Sequence, residues 1–522
     1  MKKYKYFYIA AALLSLTSCG DYLDKMPDNR TEVNSVEKVK SLLVTAYPNK
    51  SPLLVEEFSS DNVTDNGTQY ATYDYIDQIY RLQDVETISY NDVPYKIWSD
   101  TYRSVATANN ALEALDKMED NAYNRGLRAE ALLCRAFAMF RLSNLFCMAY
   151  NPDKAEKYLG LPYPKQAGVT VPERGTLKEL YANINEDIEK ALPMIDDSHL
   201  TSAKYHFNKS AAYAFAARFN LYYLNFKKAK EYASVVVGSN PGSVLRQMSS
   251  YSNLAGVEDI GNNYVKSGNP SNLLLLTSYS LMGRASYSTS TKRYNHNMDV
   301  VSSQTFWALM PWTKSIGSSA NTLYESHMMY GNNQTVWIPK QIEFFEVTDK
   351  INNTGYAHIV EAAFTTDETL LVRAESEILL GENEAAIADM NSWCDAHCEA
   401  SHGGYTRQRL TVDNVNKFFN QLDTVADNEV EVKKQNVKKT LHPQGFTISN
   451  ATQRNLLYCL LQMRRIETFW QGQRFMDLKR YGIPYTHYIS HENPIYIKPG
   501  DLRLAIQIPA DVLSTGLEAN PR

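Results

Sequence analysis

Two stretches decide how this chain is read. One is AAYAFAARFNLYYLNFKKAKEYASVV, residues 211–236; the other is TLLVRAESEILLGENEAAIADMNSW, residues 369–393. Both alternate apolar and polar residues at helical spacing on either side of a tight turn, Leu224-Asn225 in the first and Leu380-Gly381 in the second. Ala229 and Ala385 fall at the same offset after those turns. Small residues around a turn let two helix axes approach closely, so each stretch predicts a helix–turn–helix hairpin.

Tetratricopeptide (TPR) repeats pack their helices in this way, and the two hairpins predict a mostly α, TPR-like scaffold. Further helices flank them. Asn34 precedes Glu37 as a capping box, with Val36, Val39, Leu43 and Tyr47 following before Pro48. From Pro94 a stripe runs through Trp98, Tyr102, Val105, Asn109 and Leu112; its Asn is either buried and hydrogen-bonded or marks a half-wet face. Residues 125–148 and 174–192 are strongly helical, the second capped by Thr176 with Glu179 three residues later. The last predicted helix runs over residues 454–482. Between these elements lie an aromatic-rich loop at 49–93, a long Gly-, Ser-, Asn- and Tyr-rich insertion at 238–366, and a polar excursion at 403–450.

The chain has 522 residues, enough for about three domains or one large elaborated domain. Its 44% hydrophobic and 21% charged residues are a globular composition, and its formal net charge of −5 argues against a broad nucleic-acid-binding face. The 36 Tyr outnumber the 18 Phe. Tyr joins a flat apolar ring to a polar tip, which suits both helix packing and half-wet binding surfaces.

The N-terminus carries Lys2, Lys3 and Lys5 and then an apolar run, Tyr6 to Leu16, too short for a span of about 20 residues. This is a secretion signal. Its end, Leu16-Thr17-Ser18-Cys19, resembles a bacterial lipobox, which predicts cleavage before Cys19 and acylation of its thiol. Residues 1–18 are thus the expected signal peptide and 19–33 a lipid-anchor tether. The other five cysteines, Cys134, Cys147, Cys394, Cys398 and Cys459, are not a disulfide framework in a chain of this length.

No nucleophile elbow, zincin motif, phosphate loop or dinucleotide fingerprint is present, so no catalytic residue is assigned. Asp61–Gly67 fails as a calcium loop because its third position is Val and its sixth is not Gly. Cys394, His397, Cys398 and His402 are dense enough to consider zinc, but no second ligand pair follows at standard spacing, and neither metal nor cofactor is expected. Binding remains. Sugars stack their apolar faces on aromatic rings while polar side chains fix the hydroxyls. Trp307, Trp312, Trp337, Tyr324 and Tyr330 lie in the insertion, and Tyr70, Tyr73, Tyr75 and Tyr80 in the earlier loop. Irregular segments bury little, so such rings are either ligand platforms or satellite core. The expected ligand-binding residues are Asp61, Tyr70, Tyr75, Trp307, Trp312 and Tyr324.

Several motifs resemble the SusD/RagB-type outer-membrane lipoproteins: Cys19-Gly20-Asp21-Tyr22-Leu23-Asp24; Trp98, Tyr102, Ala108 and Asn109; LRAEALLCRAFAMFRL; VPERGTLKELYANINEDIEKAL; and TLLVRAESEILL. The most specific is RRIETFWQGQRFMDLKRYG, residues 464–482, against the family pattern R-x-x-E…E-G-x-R-x-x-D-L-x-R, with Gln471 in place of the Glu before Gly472. The resemblance implies a single α-rich domain of about four TPR-like helix pairs, spanning 34–237 and 367–522, with 238–366 facing the ligand. It implies a non-enzymatic, lipid-anchored protein of the outer membrane, exposed at the cell surface. There it captures oligosaccharide or polysaccharide as the lid of a SusC-like TonB-dependent transporter. Some members take oligopeptides instead, as the RagB type does. A surface glycoside hydrolase and a purely structural partner subunit are the readings from other classes.

Overall fold

A computed structural model of the chain describes residues 33–168, 173–286 and 292–522. Cys19, the signal peptide and all of the tether but Val33 lie outside the described residues. Among the described residues no helix is long and apolar enough to cross a membrane.

The scaffold is helical and the predicted hairpins form. Helix Lys209–Tyr222 turns into Phe226–Val237, and Thr366–Leu380 turns into Asn383–His397. The first turn places Leu224 at φ 64°; the second uses Gly381 at φ 82°, where glycine carries no Cβ penalty. Asn225 caps its helix by accepting from Lys228 N–H. The small-residue match shifts by one position: Ala229 is buried, whereas Ala385 is exposed and Ala386 is buried in its place. Ala229 and Ala386 are each the fourth residue of their helix. The register follows the helix start rather than the turn residue.

Helix Pro94–Leu115 packs on Ala122–Phe146, which packs on Leu177–Ala191. Phe226–Val237 packs on Thr366–Leu380, and that helix on Ala451–Glu467. The Thr176–Glu179 capping box is complete, while Ser35 rather than Asn34 caps the first described helix. Asn109 is buried and satisfied, accepting from Arg135 at 2.8 Å and donating to Pro164 O at 2.9 Å. Phe137, Phe140, Phe207, Phe215, Phe219 and Phe364 stack edge-on or tilted in the core.

The insertion is more regular than its composition predicts. It holds a three-stranded antiparallel sheet in the order Asn272–Ser278, Thr354–Thr365, Phe344–Asp349. The run Leu273-Leu274-Leu275-Leu276 is wholly buried, and an apolar run without alternation reads ambiguously until its neighbours are known. The excursion at 403–450 contains helix Val412–Gln421, capped by Thr411 and Asn414. The single helix expected over 454–482 is two helices, Ala451–Glu467 and Gln473–Arg480. Trp470 at φ 64° and Gly472 at φ 77° break it. A Cβ on Gly472 would stand 2.0 Å from Glu56 Oε2, so at this break the backbone lies directly against the segment that carries Glu56.

Candidate functional site

Arg464, Glu467, Arg474, Asp477 and Arg480, which carry the motif at 464–482, are all buried and ion-paired inside the protein, Arg464 and Arg480 with Asp477 and Glu375, Arg474 with Asp61, and Glu467 with His397. Arg464 bonds Asp477 at 3.0 Å, and Arg480 donates to Glu375 at 2.7 Å. Gly472 N–H donates to Glu57 Oε1 at 2.7 Å. Asp61 is one of these buried partners. It accepts both guanidinium arms of Arg474 at 2.7 and 2.8 Å and Lys439 Nζ at 2.7 Å, with Arg465 at 3.3 Å. Burial opposes its charge, but Arg465, Arg474 and Lys439 outweigh burial and hold the carboxyl well below the usual range. Asp61 therefore has no lone pair free for a ligand. The expectation that it binds one is corrected: it positions the loop that leads to the aromatic cluster.

That loop is laced to the insertion. Strand Thr64–Asp65 pairs with Tyr294–Asn295, and Asp65 bonds Arg293 at 3.0 Å. Asn66 donates to Lys292 O and Gln334 O at 3.0 and 2.8 Å. Buried Asp92 accepts from Leu281 N–H at 2.9 Å and from the Ser280 hydroxyl. Burial raises its pKa to about 6. Between the two segments lies an open cleft of about 240 Å³, lined by Tyr73, Tyr75, Leu281, Arg284, Lys292 and Tyr294 among others. Tyr75 stacks on Tyr90 with centroids 4.5 Å apart, and Tyr73 stands 5.8 Å from Tyr75 and 5.6 Å from Tyr90. Tyr73 is 50% exposed, whereas Tyr75 is as enclosed as any core ring, at 1%, so the expectation that Tyr75 contacts ligand is corrected: it backs the Tyr73 ring. The buried Tyr75 hydroxyl has no hydrogen-bond partner within the protein. Burial, with Asp92 and the neighbouring tyrosines, keeps that phenol protonated, so it remains a donor. Arg284 reaches Glu343 at 2.7 Å while staying largely exposed. The cleft thus offers the exposed Tyr73 ring, backed by Tyr75 and Tyr90, and two cations.

The other expected site residues scatter. Tyr70 is half-buried in the same loop, its N–H donating to Gly67 O. Trp307 and Tyr324 lie in a different neighbourhood of the insertion. Trp307 is half-buried and donates Nε1–H to Ser326 O at 2.9 Å, and half-buried Tyr324 opens a short 3₁₀ turn ending at His327. Trp312 is core: it is 1% exposed and packs 5.9 Å from the buried Trp393. Its expected role as a ligand platform is corrected, because a ring enclosed this far has no free face. Sequence reasoning noted Tyr73 but did not select it, and missed Tyr90, Arg284 and Lys292. The signal for Tyr73 was its i, i+2 spacing from Tyr75 in an irregular segment. Nothing local distinguishes the other three.

The zinc candidates separate as well. Cys394, Cys398 and His397 are buried, and all five described cysteines are free. His397 contacts Glu325 at 2.7 Å, with Asp367 and Glu467 each at 3.3 Å. Burial alone would depress its pKa, but those three carboxylates raise it to about 10. A protonated imidazole donates from both nitrogens and cannot ligate a metal.

Residues 21–221 match the family model described as starch-binding associating with outer membrane, and residues 283–500 match that of the SusD family. Solved structures share the fold. A putative sugar binding protein from Bacteroides vulgatus aligns with TM-score 0.66 at 16% identity, over 94% of this chain and 99% of that one. SusD superfamily proteins from Bacteroides fragilis and Bacteroides thetaiotaomicron align with TM-scores 0.61 and 0.60, each at 17% identity over 93% of this chain and 98% of theirs. No curated protein matches this chain.

Proposed function

The chain belongs to the SusD family, and from that premise we propose that it is a cell-surface lid that captures oligosaccharide or polysaccharide and passes it to a SusC-like TonB-dependent transporter. Acylation of Cys19 anchors it in the outer membrane. The observation that carries the ligand class is the half-exposed Tyr73 ring at the cleft, held from behind by Tyr75 and Tyr90. Sugar rings present apolar C–H faces that stack on such an exposed ring. Arg284 and Lys292 at the rim add donors for hydroxyl or acidic substituents. Capture here is a binding event without bond cleavage, and the site assignment moves from the six residues expected in the sequence to this cleft.

The test is calorimetric titration of the purified chain with a panel of soluble glycans and, separately, a mixture of oligopeptides. The expected result is saturable binding of one glycan class, with the ligand recovered unchanged, and co-purification of a β-barrel transporter from membranes. Binding of peptides alone would convert the reading to an oligopeptide lid. Turnover of a glycan by homogeneous protein would end it.

A further inference from the structure

We propose that His327, Glu399 and His402 form a surface site for a divalent transition metal of the zinc class. One ligand atom from each of the three lies within 4.8 Å of the others. His402 Nδ1 and Glu399 Oε2 are 3.2 Å apart. That contact is a hydrogen bond from His402 Nδ1–H to the carboxylate, whose proton zinc would replace; donors bound to one tetrahedral zinc at about 2.0–2.1 Å stand about 3.3 Å from each other, so the spacing suits the ion. The two imidazole rings are stacked 3.9 Å apart, which brings His327 to the same point from a segment 75 residues away.

The tautomer of His327 suits the role. Its Nε2 bonds Asn321 O at 2.8 Å, and a carbonyl only accepts, so Nε2 carries the proton and Nδ1 keeps its lone pair. A ring N–H donating to a backbone carbonyl is the usual outer support of a metal-bound histidine. The frame behind the three residues is fixed by backbone. Leu323 and Cys398 bridge antiparallel, and Glu399 N–H donates to Thr322 O at 2.7 Å. His402 pairs with Tyr405 across Gly403-Gly404, both at positive φ as a two-residue hairpin turn requires. A Cβ on Gly403 would stand 1.6 Å from Ser319 O, so the hairpin tip is seated against the insertion. Glu399 and His402 are about a third exposed and His327 is exposed, which gives an aqueous ion access.

Two imidazoles and one carboxylate select zinc, copper or nickel over calcium or magnesium, which prefer oxygen throughout. Three protein ligands leave a position open to water. A bound ion would also clip the insertion, at His327, to the segment after helix Asn383–His397. The bland alternative is a stacked histidine pair with a neighbouring acid. In the sequence, Cys394, His397, Cys398 and His402 fall short of a zinc site for want of a second ligand pair; of those four only His402 belongs to the surface group.

The test is calorimetric titration of the untagged full chain, stripped of metal, with zinc chloride at neutral pH. His327→Gln, His402→Gln and Glu399→Gln are measured beside His442→Gln, an exposed histidine outside the cluster. The expected result is one ion per chain, with affinity reduced at least about tenfold in each of the first three variants and unchanged in the fourth. Cobalt substitution should give a visible absorption band that the His327→Gln variant lacks. Absence of binding at micromolar zinc, or equal affinity in all variants, would overturn the proposal.

Discussion

Arg474 grips Asp61 with both arms of its guanidinium, at 2.7 and 2.8 Å, across 413 positions of the chain. The pair joins the helix Gln473–Arg480 to the loop that carries the aromatic cluster. It is fully buried, so its removal leaves uncompensated cations in a low-dielectric interior. Asp61→Asn should destabilise the protein by about 3–5 kcal/mol, measured by denaturant unfolding. The sign with pH follows from the depressed pKa. Asp61 contributes stability above its unfolded value of about 3.9, and that contribution is lost as pH falls through the still lower folded value. The variant should therefore lose less stability than wild type on acidification below about pH 4. Equal unfolding midpoints for the two proteins would refute the structural role.

The cleft separates binding from folding at a single ring. Tyr75→Phe removes an enclosed hydroxyl that makes no bond within the protein, so melting and glycan affinity should both stay where they are. Tyr73→Ala, which removes a half-exposed platform, should cost about 1–3 kcal/mol of affinity with little change in melting. An unchanged titration for Tyr73→Ala would move the site elsewhere.

Trp312 makes the opposite prediction. Enclosed against Trp393, its replacement by Ala should cost about 3–5 kcal/mol of stability. Glycan affinity of the folded fraction should be unaltered. A variant that melts normally yet binds weakly would restore Trp312 to the ligand site.

His397 sets an alkaline limit. Its folded pKa is about 10, raised by Glu325, Asp367 and Glu467 against the effect of burial, while the unfolded value is about 6.5. Its contribution is complete below about pH 6.5 and is lost as pH rises towards 10, because the folded state holds the extra proton in that window. Melting temperature should fall over this range. His397→Gln should be less stable at neutral pH and should show a shallower alkaline decline. Parallel pH profiles in the two proteins would contradict the charged state assigned to His397.

The helices were legible in the sequence because their signals are local. The Thr176–Glu179 box, the apolar stripe behind Trp98 and the turns at Leu224 and Gly381 each act within a few residues, where side chain and backbone meet whatever the rest of the chain does. The break at Trp470–Gly472 was not legible, because it depends on Glu56 and Glu57 lying against it. The same holds for the site. That aromatic residues gather in 49–93 and 238–366 is a property of composition, but which rings stay open is a property of what covers them. Trp312 met Trp393 and became core, and Tyr75 was enclosed between Tyr73 and Tyr90, whereas Tyr73 faces Leu281 and Arg284 across a gap and stays open. Asp61 looked like a free carboxylate until Arg474 and Lys439 closed on it, and His327 and His402 share a surface only because Thr322 and Glu399 pair. By itself, then, the sequence determined the helical scaffold and the motif residues at 464–482. The tertiary structure alone decided which polar groups are spent inside and which remain available, since burial and charge pairing depend on partners from distant parts of the chain.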